Sequence, residues 1–254
     1  MKILALTNLY PNPLQPLRAP FNRQQFRMLG QMHELRVIAP VSWLDEWRTP
    51  HQGKARIPPS RRVFNEGLVI DHPRYWYTPR ILRSCYGHFF RTSVAGSFHR
   101  ALCEFSPDIV FAPWAYPDGW AAVRLAHAAG LPAVVQVHGG DVRLLDRFSA
   151  RIPGTRQALA EADGVIVASD ELASRVAALG VDTGKVCTIV DGVDHELFHP
   201  AASNEVRQEP GFDTDPRNRK QMADDVAAFL GEILQCHRLA QILPATNTAR
   251  IYVR

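Results

Sequence analysis

The chain has 254 residues, 46% of them hydrophobic and 21% charged, with a formal net charge of +4. That is enough apolar material for one large core or two modest ones, and it excludes a disordered or fibrous protein. Met1 to Thr7 is too short an apolar run for a secretory leader, and no stretch nears the ~18 unbroken apolar residues of a membrane span. Cys85, Cys103, Cys187 and Cys236 show no CxxC pair or regular spacing, which points away from a zinc site and a disulfide frame and toward the reducing cytoplasm.

Lys2 to Thr7 reads as a first strand, stopped by Pro11, Pro13 and Pro16. A helix follows, with Phe21, Gln25, Phe26, Leu29 and Met32 on its apolar stripe and Asn22, Arg23, Gln24 and Arg27 on the other side. Glu34 to Ala39 is the next strand, and the strand-helix-strand order predicts a parallel pair. Val41 to Ser60 has no period and reads as a long surface excursion. Val63 to Ile70 and Pro73 to Tyr77 are strand material. Apolar residues from Ile81 to Phe105 recur at helical spacing with Arg80, Arg83, Arg91 and Arg100 between them. Such a basic amphipathic helix either covers a sheet or lies on a membrane. From Arg48 to Arg100, ten basic residues stand against only Glu66 and Asp71, a positive field toward anionic partners.

Ile109 to Ala112 is a strand with the exit loop Pro113 to Gly119, and the helix from Trp120 to Ala129 ends at Gly130, as a C-cap glycine requires. Leu131 to Val137 is a β-branched run that stops at His138-Gly139-Gly140-Asp141. A helix over Thr155 to Ala162, a strand over Gly164 to Ala168, a helix opened by Ser169 and stopped at Gly180, and a strand over Lys185 to Val190 complete the alternation. The pattern predicts a Rossmann-like α/β domain, a doubly wound parallel sheet spanning residues 1–200. Residues 201–254 read as a polar linker, one helix around Met222, Val226, Phe229, Leu230, Ile233 and Leu234, and a tail, too little for a second domain.

In an open parallel sheet, ligands sit beyond the carboxyl ends of the strands, which makes His138 the candidate reactive group. Gly139 and Gly140 permit a sharp turn and close approach, and Asp141 either holds the imidazole tautomer or caps the next segment. A plain turn with a satisfied histidine fits the same residues. No glycine lies between Asn8 and Phe21, which argues against a dinucleotide fingerprint, and no GxSxG is present for a nucleophile-elbow hydrolase.

Five stretches in order, Asn8-Leu9-Tyr10-Pro11 with Phe21-Asn22-Arg23-Gln24-Gln25, Pro107-Asp108-Ile109-Val110, Val137 to Asp141, Ala162 to Ser169, and Gly180 to Pro200, resemble the amino-terminal domain of glycosyltransferase family 4. The last stretch carries Asp191-Gly192-Val193-Asp194, with Asp191 where the family usually has Asn. Ala19-Pro20 stands where a glycine is frequent.

The resemblance implies the amino-terminal half of a GT-B enzyme that transfers a sugar, with retention, from a nucleotide-diphosphate donor to a saccharide or lipid-linked acceptor, without metal or other cofactor. It implies His138 as the catalytic residue beside the donor sugar, and Asn8, Arg23, Tyr116, Gly139, Gly140 and Asp141 as substrate-binding residues. It also implies no nucleic-acid partner and a cytoplasmic place, with peripheral contact at the inner membrane face. The family's donor-binding Arg–Lys pair and its two glutamates with seven residues between them have no counterpart in these residues. The chain is therefore expected to be a truncated or split half, inactive alone, that needs a separately encoded donor-binding domain; the alternative is a non-catalytic saccharide or glycolipid binding module. Its last helix is expected to dock on the domain or be poorly ordered, with a tendency to self-association.

Overall fold

The computed structural model describes residues 1–48, 56–192 and 219–242; expectations for residues 193–218 and for the tail after Ile242 lie outside the described residues. In chain order the elements are β1 (Lys2–Leu6), α1 (Pro20–Met32), β2 (Glu34–Ile38), β3 (Val41–Ser42), α2 (Trp43–Arg48), β4 (Arg62–Asn65), β5 (Leu68–Asp71) and β6 (Arg74–Tyr75). Next come α3 (Tyr86–Phe105), β7 (Ile109–Ala112), α4 (Trp120–Ala128), β8 (Ala133–Val137), α5 (Gly140–Arg143), α6 (Ile152–Glu161), β9 (Gly164–Val167), α7 (Asp170–Ala178), β10 (Val186–Thr188) and α8 (Arg219–Ile242).

Among the described residues eight strands form one sheet in the order β10-β9-β8-β7-β1-β2-β5-β4, parallel throughout except for the antiparallel β4–β5 pair. The expected Rossmann-like α/β architecture is therefore the observed one. Side chains alternate across the sheet as a two-residue period demands. Leu4, Leu6, Val110, Ala112, Val135 and Val137 pack under α3, α4, α6 and α7, while Ile3, Ala5, Ile109, Phe111 and Val134 pack under α1 and α8. Both faces are covered, which is why the central strands read as unbroken apolar runs rather than as alternation.

Local chemistry explains the helix ends. Gly130 and Gly180 sit at φ 69° and 82°, the left-handed conformation that ends α4 and α7. The Ser169 hydroxyl accepts from the backbone N–H of Leu172 (3.3 Å) and caps α7. The α3 helix turns Phe90, Val94, Phe98, Ala101 and Phe105 into the core, so its apolar stripe covers the sheet.

One expectation is sharpened and two change. The strand material of Val63 to Ile70 divides into β4 and β5, turned at Glu66-Gly67 with positive φ at both residues. The segment after Val41 holds the short β3, paired with β6, and α2 before the undescribed residues begin. Asn22, placed by periodicity on the polar side of α1, is fully buried, because its Nδ2 donates to the Leu9 carbonyl (2.7 Å) and ties the strand-one loop to the helix. Much of the basic excess between Arg48 and Arg100 is matched by acids from outside that window. Glu46 pairs with Arg61 and Arg74, and Glu104 with Arg62, which also meets Asp71.

The α8 helix is docked. Met222, Val226, Phe229, Leu230, Ile233 and Leu234 are buried against the face that carries Phe26, Leu29, Ile166 and Ile189. A Cβ on Gly164 in β9 would meet the Phe229 ring at 2.8 Å, so a glycine there lets the helix lie directly on the strand. At the other end of the contact, the Gly192 N–H donates to the Met222 thioether (3.3 Å).

Candidate functional site

The sheet's winding reverses between β1 and β7: the chain adds β2, β5 and β4 on one side of β1 and β7 to β10 on the other. The exit loops of those two strands must diverge there, which leaves a crevice at their carboxyl ends. One buried carboxylate joins the loops. Asp118, in the β7 exit loop, accepts from the Thr7 hydroxyl (3.0 Å), the Asn8 backbone N–H (2.7 Å) and the Asn8 side-chain amide (2.9 Å). Burial pushes its pKa up to about 7, although the Asn8 and Thr7 hydrogen bonds and the Arg18 charge pull it down and nearby Asp141 pushes it further up.

His138 ends β8. Gly139, at φ 102°, turns the chain as only glycine does easily, and a Cβ on Gly140 would come within 3.3 Å of the Trp114 ring. Asp141 accepts from the backbone N–H groups of Gly139 (3.0 Å) and Ala115 (3.2 Å). It therefore braces the β8 exit against the β7 exit through backbone N–H groups. Burial pushes its pKa up to about 6.

The His138 ring lies against Phe21 (centroids 5.0 Å apart), the second residue of α1, and its Nε2 is buried with no hydrogen-bond partner among the described residues. Burial lowers the imidazole pKa while the Asp191 carboxylate works the other way, and the net direction is down. A neutral imidazole with an uncommitted ring nitrogen can exchange a hydrogen bond with a ligand hydroxyl. Among the described residues, no group of three His, Cys, Asp or Glu side chains is arranged to hold a metal.

Beside this loop lies a cleft of about 380 Å³, lined by Asn8, Asn12, Gln15, Arg18, Asp45, Tyr75, Tyr77, Tyr86, Trp114, Tyr116 and Arg151 among others. Amides, phenols and an indole on one concave wall suit a polyhydroxylated ligand, since each offers an apolar face with a hydrogen-bonding edge. Asn8 is held between Asp118 and Arg18, whose guanidinium donates to its Oδ1 (3.3 Å). The Tyr116 phenol donates to the Ser84 carbonyl (2.7 Å) and accepts from the Gly87 N–H (2.9 Å), so its hydroxyl anchors the start of α3 and its ring forms the wall.

Asn8 and Tyr116 thus meet in the cleft, and His138, Gly139, Gly140 and Asp141 form the adjoining loop. Arg23 stands apart: its guanidinium donates twice to Glu66 at the β4–β5 turn (2.5 and 3.1 Å) and borders a separate hollow with Pro13 and His72. Asp118 escaped the sequence reading. An acid before Gly119 looks like a turn former, and only its burial beneath Asn8 exposes its part.

Residues 27–197 match the sequence profile of the family described as Glycosyltransferase Family 4. TuaC of Bacillus subtilis, a glycosyltransferase assigned to teichuronic acid biosynthesis, is 24% identical over 246 residues, covering 92% of this chain and 59% of its own. The D-inositol 3-phosphate glycosyltransferase of Mycobacterium tuberculosis is 32% identical over 190 residues, 61% of this chain and 37% of its own. In fold, the chain is similar to sucrose-phosphate synthase from Thermosynechococcus elongatus (TM-score 0.55, 14% identity, 80% of this chain and 51% of that one). It is also similar to Anabaena HepE in complex with UDP (TM-score 0.51, 14% identity, 78% and 46%). The chain spans 59% or less of the length of either curated relative. The profile runs over β7, β8 and β9, the Asp118 brace and the His138 loop, and on that match the chain belongs to glycosyltransferase family 4.

Proposed function

We propose that this chain supplies the acceptor-side half of a retaining sugar transfer from a nucleotide-diphosphate donor. The observation that carries the reading is the pairing of His138, whose buried Nε2 is uncommitted among the described residues, and the adjoining amide- and tyrosine-lined cleft at the switch point of the sheet. The cleft takes a saccharide or lipid-linked acceptor, and His138 contacts the donor sugar. The leaving diphosphate is held by a donor-binding domain outside these residues. Support for a glycan-building role comes from the relatives' names, one tied to teichuronic acid and one to D-inositol 3-phosphate. No helix among the described residues is long and apolar enough to cross a membrane. On this reading the reaction runs in the cytoplasm, where a lipid-linked acceptor would bring the protein to the inner membrane face.

An oxocarbenium-like transition state gains most from positioning and from stabilising the departing phosphate. The 254-residue protein alone should therefore leave UDP-glucose unconsumed. Supplying the carboxy-terminal domain of a family member, fused or in trans, should produce transfer. In that assembly His138→Ala should lower kcat by about a hundredfold while the acceptor KM moves less than about threefold. Turnover by the chain alone overturns the divided-site reading. Saccharide binding with no transfer in the assembled enzyme favours a binding module instead.

A further inference from the structure

Beside the cleft two cations share one aromatic ring. The guanidinium carbons of Arg83 and Arg151 lie 5.8 and 4.7 Å from the centre of the Phe148 ring. They are thus separated by at most about the 10 Å over which 0.1 M salt screens charge. Among the described residues neither has a carboxylate partner, whereas Arg61, Arg62, Arg74, Arg124, Arg143 and Arg175 all do. Arg151 lines the cleft itself, and the Arg83 carbonyl accepts from the Tyr116 phenol (3.2 Å), so the pair sits at the Tyr116 wall. Arg18, the cleft's other cation, is committed to Gln15 (2.6 Å), Asn8 and Asp45 (3.9 Å). Two like charges held on one aromatic platform are unfavourable until an anion bridges them, and a guanidinium fork matches a phosphate in both charge and shape.

We infer that Arg83 and Arg151, held on Phe148, form a phosphate-binding subsite beside the cleft, and that the acceptor carries a phosphate. The inference rests on the acceptor reading of the cleft. The phosphate either belongs to a soluble sugar phosphate or links the saccharide to a lipid.

Calorimetric titration of the 254-residue protein with inorganic phosphate, glucose, glucose 6-phosphate and farnesyl diphosphate tests it. Glucose 6-phosphate should bind at least about tenfold more tightly than glucose at low salt, and the advantage should shrink at 0.15 M salt. Arg151→Gln and Arg83→Gln should each weaken every phosphate ligand about tenfold, with unchanged melting; Phe148→Leu, which keeps both charges, should fall between them and the wild type. Equal affinity for glucose and glucose 6-phosphate, no phosphate binding at all, or phosphate binding indifferent to both arginine variants overturns the subsite. Arginine-dependent binding of inorganic phosphate with no gain from the attached sugar upholds the subsite and removes the saccharide reading of the cleft. Farnesyl diphosphate binding above glucose 6-phosphate assigns the phosphate to a lipid-linked acceptor, and the reverse order to a soluble one; both orders uphold the subsite.

Discussion

Asp118 and Asp141 do at the scale of single residues what regular structure does elsewhere: they hold three strand-exit loops in register. Removing the Asp118 carboxylate leaves Thr7 Oγ1 and two Asn8 donors without their acceptor, so Asp118→Ala should cost about 2–4 kcal/mol in denaturant unfolding. The pH course is set by the direction of the shifts. Both folded-state pKa values, about 7 and about 6, lie above the ordinary aspartate value. Each group therefore adds stability below the unfolded pKa near ~3.9 and loses it as pH climbs through the folded value. Asn cannot ionise, so the melting temperature of the wild type should fall relative to Asp118→Asn between pH 5 and 8; parallel curves in calorimetry would show an ordinary aspartate. Ala19 is a second particular position. It holds φ 44° before α1, where an L-residue is strained and glycine is not. Ala19→Gly should stabilise by about 0.5 kcal/mol once the extra freedom of the unfolded glycine is deducted, read by the shift in denaturation midpoint. The place of His138 at a strand's carboxyl end was legible from sequence because that signal is local, a β run before it and two glycines after, whereas its ring contact with Phe21 was not. The partners of Tyr116 lie 29 and 32 residues away, and no window on the sequence brings them together.

Among the elements, the helix-strand alternation was readable because each βα unit carries its own punctuation: Gly130 and Gly180 as stops, Ser169 as a start. The β4–β5 hairpin was not, because Asn65-Glu66-Gly67 interrupts an apolar run without breaking it, and only the antiparallel pairing of Arg62 with Asp71 through Asn65 with Leu68 reveals the turn. The Arg62–Asp71 pair then fastens the open end of that hairpin (2.8 Å). The amphipathic stripe of α8 was equally plain, but periodicity does not say what a stripe covers. It covers β8, β9 and the chain just past β10, through Val134, Ile166 and Ile189. Phe229→Ala should therefore destabilise the whole domain by about 3 kcal/mol, as a core truncation does, rather than free one helix. Gly164→Ala, whose new methyl would press on Phe229 and Ile233, should lower the melting temperature without removing a single contact atom. Two separate transitions in calorimetry of either variant would show α8 to be an appendage.

At the scale of the molecule, one sheet separates two cores, and β1, β7 and β8 are buried on both sides. Amide hydrogens of these three strands should exchange last, at the global unfolding free energy, and those of β4 at the sheet edge early. The contact between Gly192 and Met222 has a bearing on how much the chain can carry. Gly192 and Met222 lie 30 residues apart in the chain yet are in hydrogen-bond contact, so the described end of the sheet half and the first turns of α8 are side by side. A protein with such a doorway can house a passenger there. Lengthening the connection costs only about 0.6 kcal/mol per doubling, so even an eightfold longer path asks about 2 kcal/mol of the host. A folded guest with adjacent termini, spliced between 192 and 219, should leave α8 seated and the host's melting within a few degrees of its own. Among the described residues every strand of the sheet precedes Gly192, so a guest placed there interrupts no strand pairing.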